Sequence, residues 1–314
     1  MILLPVADAA SRVGVSEMTL RRRIKDGTLK TYKEGAKTVV HLSDVERLYP
    51  SETRSPQPTG PCRIIAIANQ KGGVGKTSTA ANLAAALAQD GARVVAVDAD
   101  PQGNLTQALG PDPDALERTL YNVLVQRVPV ADVALTPIGD LPSLALVGAN
   151  LDLSAAETEL AGEVAREMRL KNALLPVQAA CDFILIDCPP SLSLLTLLAL
   201  TASTEVLIPV NASVFSLRGV SKLLQTVEKV RQSVNPGLAR VRALRNLVEG
   251  TRLAQDVSDE LEQAFGQELL ATRIRKAVAI GEAQAARLPI ALHRPGEGAT
   301  RDYAELAKEI RYGA

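Results

Sequence analysis

The sequence predicts an α/β protein, a doubly wound and mostly parallel sheet preceded by a small separate domain, and three observations carry that expectation. From residue 63 onward, short apolar runs alternate with Ala- and Leu-rich stretches, the pattern of strands alternating with helices. A glycine-rich segment, 71–78, stands at the first junction between the two kinds of stretch. Residues 50–61, PSETRSPQPTGP, hold four prolines and can neither propagate a helix nor sit inside a sheet. That stretch divides the chain into a domain at 1–49, a linker at 50–61 and a domain at 62–314.

The elements of the larger domain follow in order. Residues 63–68, RIIAIA, form the first strand, and 77–89 form a helix whose Ala and Leu content favours it. Gly91 stops that helix, and 93–97 is a second strand ending at Asp98. Later strands are expected at 144–147, 183–186, 205–210 and 241–248, with helices among them at 217–230, 252–265 and 299–310. In such a sheet, ligands sit at the carboxyl ends of the strands.

Composition narrows the classes. The chain has 314 residues, 46% hydrophobic but only 3% aromatic and without Trp, so Ala, Leu and Val carry the core. Formal net charge is zero, so any nucleic-acid contact comes from a local patch. Cys62, Cys181 and Cys188 form no C-x-x-C pair, which argues for a reducing compartment and against a disulfide framework. His41 and His293 lie far apart, which argues against a His-based zinc site. No signal pattern and no long apolar segment is evident, so a cytoplasmic protein is expected.

The chemistry begins at Lys71-Gly72-Gly73-Val74-Gly75-Lys76-Thr77, a variant of the G-x-x-x-x-G-K-[ST] phosphate loop. Glycines let phosphate oxygens approach backbone N–H groups, and those of Gly73 to Ser78 would cradle them at a helix N-terminus. Lys76 would reach the β- and γ-phosphates of ATP, and the Thr77 hydroxyl would ligate Mg²⁺. A bland glycine-rich turn is the alternative, and the strand before and helix after argue against it.

Three segments, NQKGGVGKTSTAANLA (69–84), VDADPQGN (97–104) and DFILIDCPPS (182–191), resemble in order and spacing the nucleotide motifs of the ParA/MinD class of deviant Walker ATPases. The chain resembles ParA partition proteins in particular, over about 62–311. The resemblance implies a P-loop ATPase in which Lys71 crosses a nucleotide-sandwich homodimer to the partner's ATP. It implies that Asp100 positions the attacking water and that Asp187, with Thr77, holds Mg²⁺. Asp98 either joins that metal site or only caps its strand. Where similar proteins carry I-P-R-N near the base, this chain reads Ile274-Arg275-Lys276-Ala277, which leaves Asn246 and Arg275 as candidates for contacting the nucleotide there.

The first fifty residues read as two short helices joined at Gly14, with Ser16 capping the second and Gly27 ending it. A hairpin follows over 31–42, turning near Glu34-Gly35, and Ser43–Glu46 is a capping box for a third helix. This resembles the winged helix-turn-helix of the MerR and excisionase families. Residues 21–37 hold Arg21, Arg22, Arg23, Lys25, Lys30, Lys33 and Lys37 against Asp26 and Glu34, five net positive charges. Such a stripe suits a helix in the major groove of an operator with a wing on the backbone; a solvated helix face is the bland alternative.

By resemblance, the implied function is DNA partition by an ATP-dependent homodimer that binds DNA non-specifically and is released by a ParB-like centromere-binding partner. Arg252, Arg273, Arg275, Lys276 and Arg287 are the candidates for the non-specific contact. The bacterial cytoplasm, on the nucleoid, is the implied location. A nucleotide-sensing transcription regulator is the alternative of a different class. A MinD-like membrane switch would need a basic amphipathic tail, whereas the chain reads EIRYGA at its end. An iron–sulfur role would need cysteines in a ligand arrangement.

Overall fold

The computed structural model describes residues 3–12, 17–25, 28–34, 37–41, 44–45, 60–136, 138, 140–211 and 216–313. They belong to two compact units, Met1–Gln57 and Pro58–Ala314.

In the first unit, strand β1 (Leu3–Pro5) leads into helices Val6–Arg12 and Glu17–Lys25, followed by β2 (Thr31–Glu34) and β3 (Lys37–His41). β3 is central and antiparallel to both neighbours, with Leu4 opposite Val40 and Glu34 opposite Lys37. Leu20 is fully buried and Ile24 packs against the same cluster of Val6, Ala9, Ala10, Leu29, Val40 and Val45. The two are four apart and so share a helix face. Arg21, Arg22, Arg23 and Lys25 are exposed, as are Lys30 and Lys33. Gly14, Ser16, Gly27, Gly35, Ser43 and Glu46, on which the expected turns and caps rest, lie outside the described residues, as does 46–59, which holds most of the linker.

The second unit is built on seven strands: β4 (Arg63–Ile67), β5 (Val94–Asp98), β6 (Leu144–Val147), β7 (Phe183–Asp187), β8 (Glu205–Val210), β9 (Arg240–Val248) and β10 (Leu269–Arg275). All neighbours are parallel, in the order β10-β9-β8-β4-β7-β5-β6. Side chains alternate between faces, as the pleat requires. Ile64, Ala66, Ile184, Ile186, Val206 and Ile208 meet Leu195, Leu198, Leu223 and Val227 on one side. Ile65, Ile67, Leu185, Leu207 and Leu244 meet Leu83, Leu87, Leu306 and Ile310 on the other. With both faces covered, the strands are continuously apolar, as they read in sequence.

β10 is an element the sequence reading left out. Its segment LLATRIR is part-polar because it is an edge strand: Leu270 and Ile274 are buried while Arg273 and Arg275 are solvent-facing or nearly so. The helix Gly298–Tyr312 covers its free side, where the Glu309 carboxylate accepts from the N–H groups of Ala271 (2.7 Å) and Thr272 (2.9 Å). An edge capped in this way cannot template another strand. At the opposite edge, Leu135 bridges Leu146 of β6 in antiparallel fashion.

The register aligns the strand ends that matter. Ile67 of β4 and Asp98 of β5 both stand level with Asp187 of β7.

Candidate nucleotide-binding site

The chain leaving β4 is pinned before it turns. Asn69, buried, donates from Nδ2 to the Pro209 carbonyl at 2.8 Å, and its Oδ1 accepts from the Lys71 N–H at 3.1 Å. Gly73 and Gly75 then take left-handed backbone conformations, φ 71° and 82°, where a side chain would be strained. Gly75 is required twice, since a Cβ there would lie 2.4 Å from Asn246 Nδ2. Gly75 caps the helix Lys76–Gln89 with no side-chain hydrogen bond, so no capping side chain occupies the first N–H groups of the helix.

Three ionisable groups meet beside this loop. Lys76 is 7% exposed, and its Nζ donates to the Lys71 carbonyl at 3.2 Å. Burial lowers its pKa, opposed by the negative charge of Asp187 and by Cys188 and Asp100. Asp187 is fully buried, and neither carboxylate oxygen makes a hydrogen bond of normal geometry among the described residues, although the Thr77 hydroxyl approaches it. Burial and the adjacent Asp98 push its pKa well above the usual carboxylate range, against the pull of Thr77 and Lys76. Asp100, 7% exposed, follows β5 and accepts from the Gln102 N–H at 3.0 Å.

Asp98 is employed differently. Its Oδ2 accepts from the Thr106 N–H (2.8 Å) and hydroxyl (2.7 Å), and its Oδ1 from the Asp100 N–H (3.2 Å). Thr106 Oγ1 in turn accepts from the Ala149 N–H at 2.9 Å. Burial raises the Asp98 pKa to about 6, against these hydrogen bonds. This side chain therefore holds the loop that carries Asp100, whereas that of Asp187 does not.

Two bare oxygens of a buried carboxylate beside a threonine hydroxyl are hard donors that suit Mg²⁺, with further ligands from phosphate and water. The fit is sound, and among the described residues no cluster of three His, Cys, Asp or Glu offers a second metal site.

Asn246 ends nearer the loop than the sequence reading placed it. Its Nδ2 donates to the Val74 carbonyl at 2.7 Å and lies 3.4 Å from both the Gly75 carbonyl and Thr79 Oγ1, while its buried Oδ1 has no partner. It also lines a cleft of about 650 Å³ with Val248, Thr251, Arg252, Arg273 and Arg275. The Arg275 guanidinium is committed to Asp302, at 2.7 Å through both Nε and Nη2. Lys276 pairs with Glu249 at 2.6 Å, and Arg287 faces Asp112 at 3.6 Å. Of the five cations considered for DNA, Arg252, Arg273 and Arg275 share the cleft wall, and Lys276 and Arg287 do not line it. Asn69 and the job of Asn246 were not found by sequence reasoning; for Asn69 the signal was its place two residues before Lys71.

A left-handed glycine loop between a strand and a helix, with a buried lysine at the helix start and a buried carboxylate on the neighbouring strand, defines a P-loop nucleotide-binding protein. Residues 62–240 match the family model of an AAA domain. The chain is 42% identical over 249 residues to the sporulation initiation inhibitor protein Soj of Bacillus subtilis, covering 79% of this chain and 98% of Soj. It is 39% identical over 253 residues to the chromosome partitioning protein ParA of Caulobacter vibrioides, covering 80% and 94%. Among solved structures, cobyrinic acid a,c-diamide synthase of Mycobacterium smegmatis with bound ATP analog and magnesium superposes at a TM-score of 0.69 and 34% identity, covering 81% and 97%. The septum site-determining protein MinD of Pyrococcus horikoshii, complexed with Mg-ADP, gives 0.66 and 26%, covering 80% and 96%. The chain belongs to the ParA/MinD-type P-loop ATPase family.

Proposed function

We propose that this protein is a Mg²⁺-dependent ATPase that acts as a DNA-partition switch for a plasmid or chromosome. The observation that carries the reading is the buried carboxylate of Asp187, without a hydrogen bond of normal geometry, beside Lys76 and the left-handed glycine loop. Such a carboxylate at a strand end is costly unless a ligand completes it.

The loop amides of Gly73 to Ser78 bind the phosphates, and Lys76 reaches the β- and γ-phosphates. Thr77 and Asp187 hold Mg²⁺, which when bound neutralises charge developing on the γ-phosphoryl group. Asp100, fixed by the Asp98–Thr106 network, orients the attacking water. The cleft beside Asn246 takes the base and ribose, with Arg275 on its wall. Lys71 adds positive charge across a homodimer formed around two ATP molecules. A low basal turnover fits a switch whose slow steps are conformational.

The ATP dimer binds DNA non-specifically, through cations that include Arg252 and Arg273. A ParB-like centromere-binding partner stimulates hydrolysis and releases it. In the first unit, two helices followed by a two-stranded ribbon support a winged helix-turn-helix reading, with Arg21, Arg22, Arg23 and Lys25 along the second helix and Lys33 and Lys37 in the ribbon. That unit binds an operator for autoregulation, and the chain acts in the cytoplasm on the nucleoid.

Phosphate release measured with and without DNA and the product of the adjacent gene tests this reading. Synergistic stimulation by the two supports partition. DNA binding without turnover would overturn it in favour of a nucleotide-sensing regulator.

A further inference from the structure

Cys62 and Cys181 lie 119 positions apart in sequence, yet their sulfurs are 3.5 Å apart. The fold brings them together at the amino ends of two adjacent central strands. Cys62 immediately precedes β4, Cys181 stands two residues before β7, and the strands run parallel with Arg63 opposite Phe183. The Arg63 N–H donates to the Asp182 carbonyl at 3.0 Å, so pairing continues up to the cysteines. That register sets Cys62 level with Asp182, one residue from Cys181, so with strands about 4.8 Å apart and a rise of about 3.3 Å per residue their Cα atoms lie roughly 6 Å apart, within the ~4.4–6.8 Å that a disulfide spans. Bond formation needs the sulfurs to close to about 2.05 Å, a movement of side-chain size. Cys188 is elsewhere: it is buried beyond the carboxyl end of β7, with its thiol 3.8 Å from the Ile186 carbonyl.

We propose that Cys62 and Cys181 are a disulfide-forming pair, through which an oxidised thiol pool cross-links the entry of β4 to the entry of β7. The site lies at the opposite end of the strands from the phosphate loop and does not depend on the nucleotide reading. In a reducing compartment the pair rests as two thiols. Cys62 is partly exposed and Cys181 only 3% exposed, so a solvent oxidant reaches Cys62 first.

With a small-molecule disulfide as oxidant, the Cys62 thiolate attacks one of its sulfurs, breaks its S–S bond and releases one thiolate. The Cys181 thiolate then attacks Cys62 Sγ, breaks the mixed disulfide and releases the second. Two cysteine thiols lose two protons and two electrons, and one external disulfide becomes two thiols. A hydrogen bond from Cys62, aided by Arg93 and opposed by burial and Asp182, holds the Cys181 thiol below its usual value. The same hydrogen bond, with burial and the nearby Asp182, raises Cys62 despite Arg93. The first step therefore quickens as pH rises.

The test is to incubate the full-length protein with oxidised glutathione, unfold it under acid quench, and count free thiols with peptide mapping under non-reducing conditions. The expected result is loss of two of the three thiols, a peptide linking Cys62 to Cys181, and full recovery with dithiothreitol. A Cys188→Ser variant forms the same link, and a Cys62→Ser variant forms none. Retention of all three thiols, a stable glutathione adduct on Cys62 with Cys181 still free, or a link between two chains would each overturn the proposal.

Discussion

Replacing Gly75 with alanine probes the joint between the phosphate loop and the sheet. The residue sits at φ 82°, and an added Cβ would lie 2.4 Å from Asn246 Nδ2. The left-handed conformation costs an alanine roughly 1–2 kcal/mol. Contact at that distance is about 1 Å too close, so the amide must swing away from the Val74 carbonyl, which it reaches at 2.7 Å. Leaving that buried pair unmade costs about 1–3 kcal/mol more. The sum, about 2–5 kcal/mol, falls on a loop whose conformation is the phosphate site, so ATP affinity should drop at least about 30-fold. Titration with a fluorescent ATP analogue reads it directly. The double variant Gly75→Ala with Asn246→Ala removes the collision and should recover about 1–2 kcal/mol relative to additivity. Affinity within twofold of wild type for Gly75→Ala, or a strictly additive double variant, would refute the reasoning.

Three further outcomes are expected. Asp187→Asn should lower Mg²⁺-dependent turnover roughly 100-fold yet raise the ligand-free thermal midpoint by a few degrees, because it removes a carboxylate charge that burial and Asp98 disfavour; a lowered midpoint would contradict the burial account. Lys76→Ala removes charge-assisted contacts of about 1.5–3 kcal/mol, so ATP binding by calorimetry should weaken roughly 10- to 100-fold. Arg22→Ala should weaken operator binding in a gel-shift assay by about 1–3 kcal/mol with ATPase activity unchanged, and undiminished operator affinity would dismiss the recognition-helix reading.

Local signals were legible in the sequence. Lys71–Ser78 is one contiguous segment whose glycines serve the backbone directly, and Asp187 closes an unbroken apolar run, so both could be placed without knowing the fold. Strand boundaries were read to within a residue, for example 93–97 against Val94–Asp98. Features made by juxtaposition were not legible. Asn246 meets Val74 from 172 positions away, and Cys62 meets Cys181 only because β4 and β7 are neighbours in a sheet whose order departs from chain order. β10 was missed because Thr272, Arg273 and Arg275 interrupt its apolar residues, as an edge strand with a wet face allows. The I-P-R-N departure at 274–277 also has a structural counterpart: Arg275 ends β10 and turns its guanidinium to Asp302, a residue 27 positions on.

The most direct measurement is the solution mass of the Asp100→Ala protein by light scattering, with Mg-ATP and with Mg-ADP. If Asp100 orients the attacking water as proposed, the variant should hold ATP unhydrolysed and scatter at about twice the 33.3 kDa chain mass, and should return to the single-chain mass in ADP. One mass in both nucleotides, or normal phosphate release by the variant, would contradict an ATP-gated dimer timed by hydrolysis.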